Sequence, residues 1–128
     1  MKYEILDGSY SCFRISREWL DCSMPWAFDQ YNNCGYTCCY CFSQNQRGIG
    51  TNADNYNAKR VRKVSFKSFK KIFEDLDNPK NMYAPFIKNR QTLQWGALSD
   101  PMCPIEEQEK VGYEILSYLK EIKYPICF

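Results

Sequence analysis

Cysteine is the residue type in this chain best suited to chemistry, and four cysteines lie in the segment at positions 34–41, CGYTCCYC. Cys34, Cys38 and Cys41 follow a Cys-x3-Cys-x2-Cys spacing, with Cys39 as an extra thiol between them. This spacing suits a metal ion or an iron–sulfur cluster better than a ladder of disulfides. The sequence contains no histidine. Cys2His2 and Cys3His zinc sites and serine–histidine hydrolysis are therefore excluded.

Two kinds of thiolate site remain open. Three cysteines leave one iron of a [4Fe–4S] cluster free for another ligand. A zinc ribbon would need a second short cysteine pair, and the other cysteines are scattered singly. They are Cys12, Cys22, Cys103 and Cys127. The alternatives are a cluster that supports catalysis and a non-catalytic zinc- or cluster-binding module or scaffold fragment, with Cys39 as a bystander thiol.

The composition indicates a cytoplasmic protein without a membrane span. The first residues, MKYEI, lack the apolar stretch of a signal peptide. No apolar run approaches the length of about 18 residues that a membrane helix needs. The formal net charge of +2 is too small to indicate nucleic-acid binding by itself. Because the cytosol keeps thiols reduced, we expect free cysteines rather than disulfides.

The hydrophobic pattern predicts the elements that position the cysteine segment. Apolar residues alternate in some segments, as in strands, and recur every three or four residues in others, as in helices. The predicted order of elements is strand, cysteine loop, helix, strand, helix and strand. The predicted ranges are a strand at 26–31, a polar loop at 47–58, a helix at 66–76 with Ser65 as its N-cap, a strand at 92–98, a helix at 105–122 and a strand at 124–128. This alternation predicts an α/β fold with a parallel sheet and right-handed crossovers.

The length of 128 residues allows one modest core, so we expect a single domain. Residues 1–24 read as an N-terminal extension, and residues 25–128 as the first two βα units and the start of a third strand. Parallel strands usually lie inside a sheet. We therefore expect the N-terminal portion of a larger barrel, in which the 124–128 edge favours self-association or a missing C-terminal half.

The cysteine motif, with Tyr40 just before its last cysteine, resembles the signature of radical S-adenosylmethionine (SAM) enzymes. Further segments resemble the spore photoproduct lyase and DNA repair photolyase-like branch of that family. They are YNNC at 31–34, YCF at 40–42, WGALSDP at 95–101 and PIE at 104–106. The match spans about residues 25–107, and the cysteine motif is its most specific part.

The resemblance implies a partial (β/α)6 barrel that holds a [4Fe–4S] cluster through Cys34, Cys38 and Cys41. It also implies SAM as cofactor, cleaved by an electron from the reduced cluster to a 5′-deoxyadenosyl radical. Tyr40, Phe42, Ser99 and Asp100 would then contact SAM. The implied partners are an electron donor of the flavodoxin or ferredoxin type and, for this lyase-like branch, DNA.

One position departs from the family pattern. Spore photoproduct lyases carry a hydrogen-donating cysteine two residues before the serine of the Ser-Asp-Pro turn, and the present chain has Ala97 there. Cys103, four residues after Ser99, is a candidate replacement. The resemblance therefore favours the class of chemistry more strongly than the substrate.

Charged residues near the motifs have two interpretations each. Seven basic residues at positions 59–71 form either a phosphate-contacting ridge or a solvated helix face. They are Lys59, Arg60, Arg62, Lys63, Lys67, Lys70 and Lys71. Glu106 would contact a ligand at the barrel mouth or simply favour the positive end of a helix.

Overall fold

The computed structural model describes residues 2–8, 10–15, 25–36, 38–43 and 58–128. The elements in these ranges are β1 (Glu4–Ile5), β2 (Phe13–Ile15), β3 (Trp26–Phe28), β4 (Arg60–Val61), α1 (Phe66–Glu74), α2 (Ala84–Lys88), β5 (Leu93–Trp95), α3 (Pro104–Glu109), α4 (Val111–Glu121) and β6 (Ile126–Cys127). Cys22 and most of the polar loop predicted at 47–58 lie outside the described residues.

The main sheet has four strands in the order β2-β3-β5-β6. The pairs β3–β5 and β5–β6 are parallel, whereas β2 is antiparallel to β3. A separate parallel pair joins β1 to β4. Parallel pairing agrees with the expected α/β class, while β1 and β2 show that residues from the presumed N-terminal extension form strands. The partial barrel stays a prediction.

An aromatic core covers one face of the main sheet. Trp26 and Phe28 of β3 are fully buried, and the Phe28 ring lies 5.1 Å from the ring of Phe69 on α1. Helix α4 adds Ile115, which is also fully buried. Burying each such side chain contributes about 1.5–3 kcal/mol. This packing fixes β3 and β5 side by side, so the segments that follow the two strands emerge at the same edge of the sheet.

The first predicted helix is confirmed, with its last regular residue at Glu74 rather than at position 76. The Ser65 side chain caps it by accepting a hydrogen bond from the Ser68 backbone N–H at 3.5 Å. The short helix α2 was not predicted. The predicted strands are shorter than expected, and beyond β3 the residue Tyr31 forms only an isolated bridge with Lys63.

The prediction of a single helix at 105–122 was wrong, because the helix is interrupted at Lys110. This residue has a left-handed φ of 55° and separates α3 from α4. The Glu106 carboxylate stabilises the break by accepting hydrogen bonds from the backbone N–H groups of Gly112 (2.9 Å) and Tyr113 (2.8 Å). It also accepts one from the Tyr31 hydroxyl at 2.5 Å. The structure thus supports a helix-capping role for Glu106.

Within the described residues, no helix is both long enough and apolar enough to cross a membrane.

Candidate functional site

The cysteine loop follows β3, and the turn at residues 98–103 follows the neighbouring parallel strand β5. Hydrogen bonds between described residues join the two segments. The Asp100 backbone N–H donates to Cys34 Sγ (3.3 Å), the Tyr36 hydroxyl donates to the Met102 carbonyl (3.2 Å), and the Ser43 hydroxyl donates to the Leu98 carbonyl (2.7 Å). Residues more than fifty positions apart in the chain therefore form one site.

The cysteine loop and the residues that join β5 to the turn each contain a glycine that no other residue could replace without rearrangement. Gly35 has a φ of +79°, and a Cβ there would lie 2.3 Å from the Tyr3 hydroxyl oxygen. Gly96 has a φ of +91°, and a Cβ there would lie 2.6 Å from Cδ of Pro101. Left-handed backbone of this kind favours glycine. The chain near β1 therefore supports the cysteine loop directly, and the turn after β5 folds tightly back on itself.

Asp29, the residue directly after β3, anchors this turn. Its side chain is 0% exposed, and one carboxylate oxygen accepts three hydrogen bonds. The donors are the backbone N–H of Leu98 (3.0 Å), the backbone N–H of Ser99 (2.7 Å) and the Ser99 hydroxyl (2.9 Å). The other oxygen forms an ion pair with Arg14 of β2. The carboxylate thus links β2 and β3 to the turn that follows β5.

Gln30 holds the same turn at its other end. Its carbonyl oxygen accepts a hydrogen bond from the Trp95 indole N–H (2.7 Å), and its amide group donates to the Pro101 carbonyl (2.7 Å). Neither Asp29 nor Gln30 was predicted as a site residue from the sequence. The signal was available, because two polar residues between Phe28 and Tyr31 interrupt an apolar strand end. Buried polar groups of this kind nearly always have hydrogen-bond partners.

The Cys34 thiol lies in an electrostatically unusual position. Hydrogen bonds from Cys103 and from the backbone N–H of Asp100 outweigh partial burial and lower the pKa of Cys34 to about 6. These contacts therefore favour the thiolate form of Cys34, which is the form that binds metals. The same contact with Cys34, together with burial, raises the pKa of Cys103 well above its usual range. The contact therefore favours the protonated form of Cys103.

The other two candidate ligands lie further along the same loop. The backbone N–H of Cys41 donates to the Cys38 carbonyl at 3.1 Å, which closes a turn between them. None of Cys34, Cys38, Cys39 and Cys41 forms a disulfide; the first, second and fourth are half-buried, and Cys39 is exposed. Thiols of this kind are the donor type that an iron–sulfur cluster requires.

A single metal ion is a different case. No group of three or more Cys, Asp or Glu residues in the described ranges is arranged to hold one ion. A tetrahedral zinc site requires every sulfur to lie about 2.3 Å from the same ion. A [4Fe–4S] cluster at these cysteines therefore stays a prediction from the sequence, as does the zinc alternative.

The residues that the resemblance assigns to SAM differ in accessibility. Ser99 is buried, and its hydroxyl donates to Asp29, which makes it part of the turn's internal support. Asp100 is exposed beside Cys34. Tyr40 (87% exposed) and Phe42 (59% exposed) present aromatic rings to solvent from the cysteine loop. Asp100, Tyr40 and Phe42 are therefore free to contact a ligand.

A cavity of about 450 Å³ lies on the other side of the turn, between the turn and α4. Its walls include Trp95, Met102, Cys103 and Tyr113, and none of the three candidate cluster ligands lines it. Its volume falls in the range of small-molecule pockets. Cys103 is thus shared by the cavity wall and the contact with Cys34.

The basic residues around α1 are partly paired with carboxylates. Arg60 pairs with Glu4 at 3.1 Å, and Lys63 pairs with Glu109 at 2.6 Å. Lys70 pairs with Glu74 one helical turn later, at 3.5 Å. Lys67 and Lys71 are exposed and lie four residues apart on α1. The pairing leaves a smaller basic surface than the sequence suggests.

Comparison of the chain with models of known protein families, with curated proteins and with solved structures found no match. The residues of the site and their contacts therefore carry the functional inference.

Proposed function

We propose that this protein is a radical SAM protein in which Cys34, Cys38 and Cys41 hold a [4Fe–4S] cluster and leave the fourth iron for SAM. The observation that supports this most directly is the 3.3 Å hydrogen bond between the Asp100 N–H and Cys34 Sγ. It joins the cysteine loop to the turn whose sequence resembles a SAM-contacting segment. When bound and reduced, the cluster would supply the electron that splits SAM into methionine and a 5′-deoxyadenosyl radical.

The chain's own residues would bind and orient SAM. The exposed rings of Tyr40 and Phe42 offer flat apolar surfaces to the adenine. The exposed carboxylate of Asp100 offers an acceptor for the ribose hydroxyls or the methionyl ammonium group. Ser99, which is bonded to Asp29, would keep the turn in place rather than contact SAM. A fixed turn places these groups before the ligand arrives, which reduces the entropic cost of binding.

For the substrate, the proposal follows the resemblance to lyase-like enzymes that act on DNA. The exposed pair Lys67 and Lys71 would contact phosphates. Cys103 is the candidate hydrogen donor, since its thiol is protonated and it lines a cavity of small-molecule size. An electron donor of the flavodoxin or ferredoxin type completes the partners.

The test is anaerobic reconstitution of the full chain with iron and sulfide. We expect about four irons per chain and a reducible centre whose electron paramagnetic resonance (EPR) spectrum changes when SAM is added. Cys34→Ala, Cys38→Ala and Cys41→Ala should each abolish that centre. Cys39→Ala is the matched control, because it removes an exposed thiol of the same loop that is not a proposed ligand.

Two results would replace the proposal with its alternatives. One zinc ion per chain without sulfide would identify a zinc-binding module. A cluster whose EPR spectrum does not change when SAM is added, with no 5′-deoxyadenosine formed under reducing conditions, would identify a non-catalytic cluster-binding scaffold. Formation of 5′-deoxyadenosine by the wild type and its loss in the three ligand variants would support the radical chemistry.

A further inference from the structure

The cavity between the turn and α4 combines apolar walls with carboxylates. Its volume is about 450 Å³, and its aromatic and thioether walls come from Trp95, Tyr113 and Met102. Tyr113 is 70% exposed and Met102 is also exposed, so apolar surface at this cavity faces water. Adjoining exposed apolar side chains of this kind mark binding sites, whereas scattered ones need no explanation. The volume suits a small molecule.

The Glu106 carboxylate lies in the wall of this cavity. Its oxygens accept hydrogen bonds from three neutral donors, which are the Tyr31 hydroxyl and the backbone N–H groups of Gly112 and Tyr113. Position 112 has no side chain to obstruct this approach, because a Cβ there would lie 2.9 Å from Glu106 Oε2. Among the described residues, no Lys or Arg forms an ion pair with Glu106. Its negative charge therefore lacks a counter-charge in that part of the chain.

Two further charged side chains line the cavity. They are Glu107 and Lys110, and both are exposed. Two carboxylates and one ammonium group thus line the cavity, which leaves a net negative charge. An anionic ligand would be repelled by both carboxylates, and this repulsion is stronger near a protein wall than in bulk water. A cation would supply the counter-charge that Glu106 lacks.

The hydrogen bonds of Glu106 decide which kind of cation fits. Its two oxygens already accept three hydrogen bonds, so they offer little to the three donors of a primary ammonium group. A quaternary ammonium group has no N–H to satisfy. Such a group is held by charge and by aromatic rings, and Trp95 and Tyr113 both line this cavity.

We propose that the cavity between the turn and α4 binds a small organic cation of the quaternary ammonium class. Its methyl groups would contact the aromatic walls, while Glu106 and Glu107 would supply the opposite charge. The inference does not depend on the proposed cluster, since Cys34, Cys38 and Cys41 do not line the cavity.

The experiment is a nuclear magnetic resonance titration of the metal-free, ¹⁵N-labelled full chain with choline, following the backbone N–H signals of Gly112 and Tyr113. The comparison ligand is 3,3-dimethyl-1-butanol, which has the shape of choline without its charge. We expect choline to shift both signals saturably and to bind about fivefold more tightly than the alcohol. No saturable shift with choline, or binding of the alcohol at least as tight, would overturn the inference. A trimethyllysine peptide that bound more tightly than choline would overturn the assignment to a free small molecule.

Two pairs of variants separate charge from aromatic contact. Glu107→Gln should weaken choline binding about threefold and leave binding of the alcohol unchanged. Glu121→Gln is its control, because this exposed carboxylate ends α4 and does not line the cavity. Tyr113→Leu should weaken choline binding more than Tyr113→Phe, which keeps the ring. Equal choline affinities within either pair would contradict the proposed mode of recognition. Both altered positions in the cavity are exposed, so we expect the variants to fold.

Discussion

Replacement of Asp29 tests whether the turn after β5 depends on the buried carboxylate. Its side chain is fully buried and accepts hydrogen bonds from Leu98 N–H, Ser99 N–H and the Ser99 hydroxyl, at 3.0, 2.7 and 2.9 Å. A hydrogen bond to a charged group contributes about 1.5–3 kcal/mol. The free-energy cost of burying the carboxylate offsets part of the stabilisation from these three hydrogen bonds. We therefore expect Asp29→Ala to lower the free energy of unfolding by about 3–5 kcal/mol.

Two milder variants separate the contributions of the charge and of one hydrogen bond to this loss of stability. Asp29→Asn keeps an acceptor oxygen but loses the charge, and neutral hydrogen bonds are roughly half as strong as charged ones. We expect the free energy of unfolding of Asp29→Asn to lie between those of the wild type and Asp29→Ala. Ser99→Ala removes one of the three donors and should cost about 1–2 kcal/mol. Arg14 would lose its ion-pair partner in both Asp29 variants, but its side chain is 35% exposed and can be solvated.

The assay is urea unfolding of the full chain, followed by circular dichroism in the absence of metal. The matched control is Asp77→Ala, which removes an aspartate whose side chain is 100% exposed and which pairs with Lys88. Surface pairs of this kind contribute about 0–1 kcal/mol. If Asp29→Ala cost no more than Asp77→Ala, the inferred network would be wrong. Additive costs for Asp29→Ala and Ser99→Ala in the double variant would also contradict it, because residues in contact should show coupling.

Two further predictions concern single residues. In the cluster-free protein, the rate at which iodoacetamide alkylates Cys34, measured by mass spectrometry, should reach half its maximum near pH 6. The variant Cys103→Ala should move this midpoint toward the ordinary value of 9.0. A midpoint near 9.0 in the wild type would refute the contact between the two thiols. Because the pKa of Cys34 is lower in the folded state, its contribution to stability should be fully present above the unfolded value and be lost as the pH falls through about 6. Lys110→Gly should raise the free energy of unfolding by about 0.5–1 kcal/mol, since glycine adopts the left-handed φ of 55° without the steric cost of a Cβ. A lower melting temperature for Lys110→Gly would show that the lysine side chain matters more than its backbone.

Some local features of this chain could be predicted from its sequence. The spacing of Phe66, Phe69 and Phe73 predicted α1, because a helix brings such positions onto one face. The cysteine spacing marked one half of the candidate site, and the resemblance of the segment at 95–101 to a SAM-contacting turn marked the other half. The break at Lys110 was not visible, since apolar residues recur at helical spacing on both sides of it. A distant tyrosine and a carboxylate cap stabilise that break.

Only the tertiary structure decided how the two halves of the site meet. Asp29 and Ser99 lie 70 positions apart, and Asp100 and Cys34 lie 66 apart, so no local pattern links either pair. Parallel pairing of β3 with β5 places both chain segments at one sheet edge, where buried polar atoms must find partners within hydrogen-bond distance. At that edge the buried Ser99 hydroxyl donates to Asp29 and supports the turn, and Cys103 lies against Cys34.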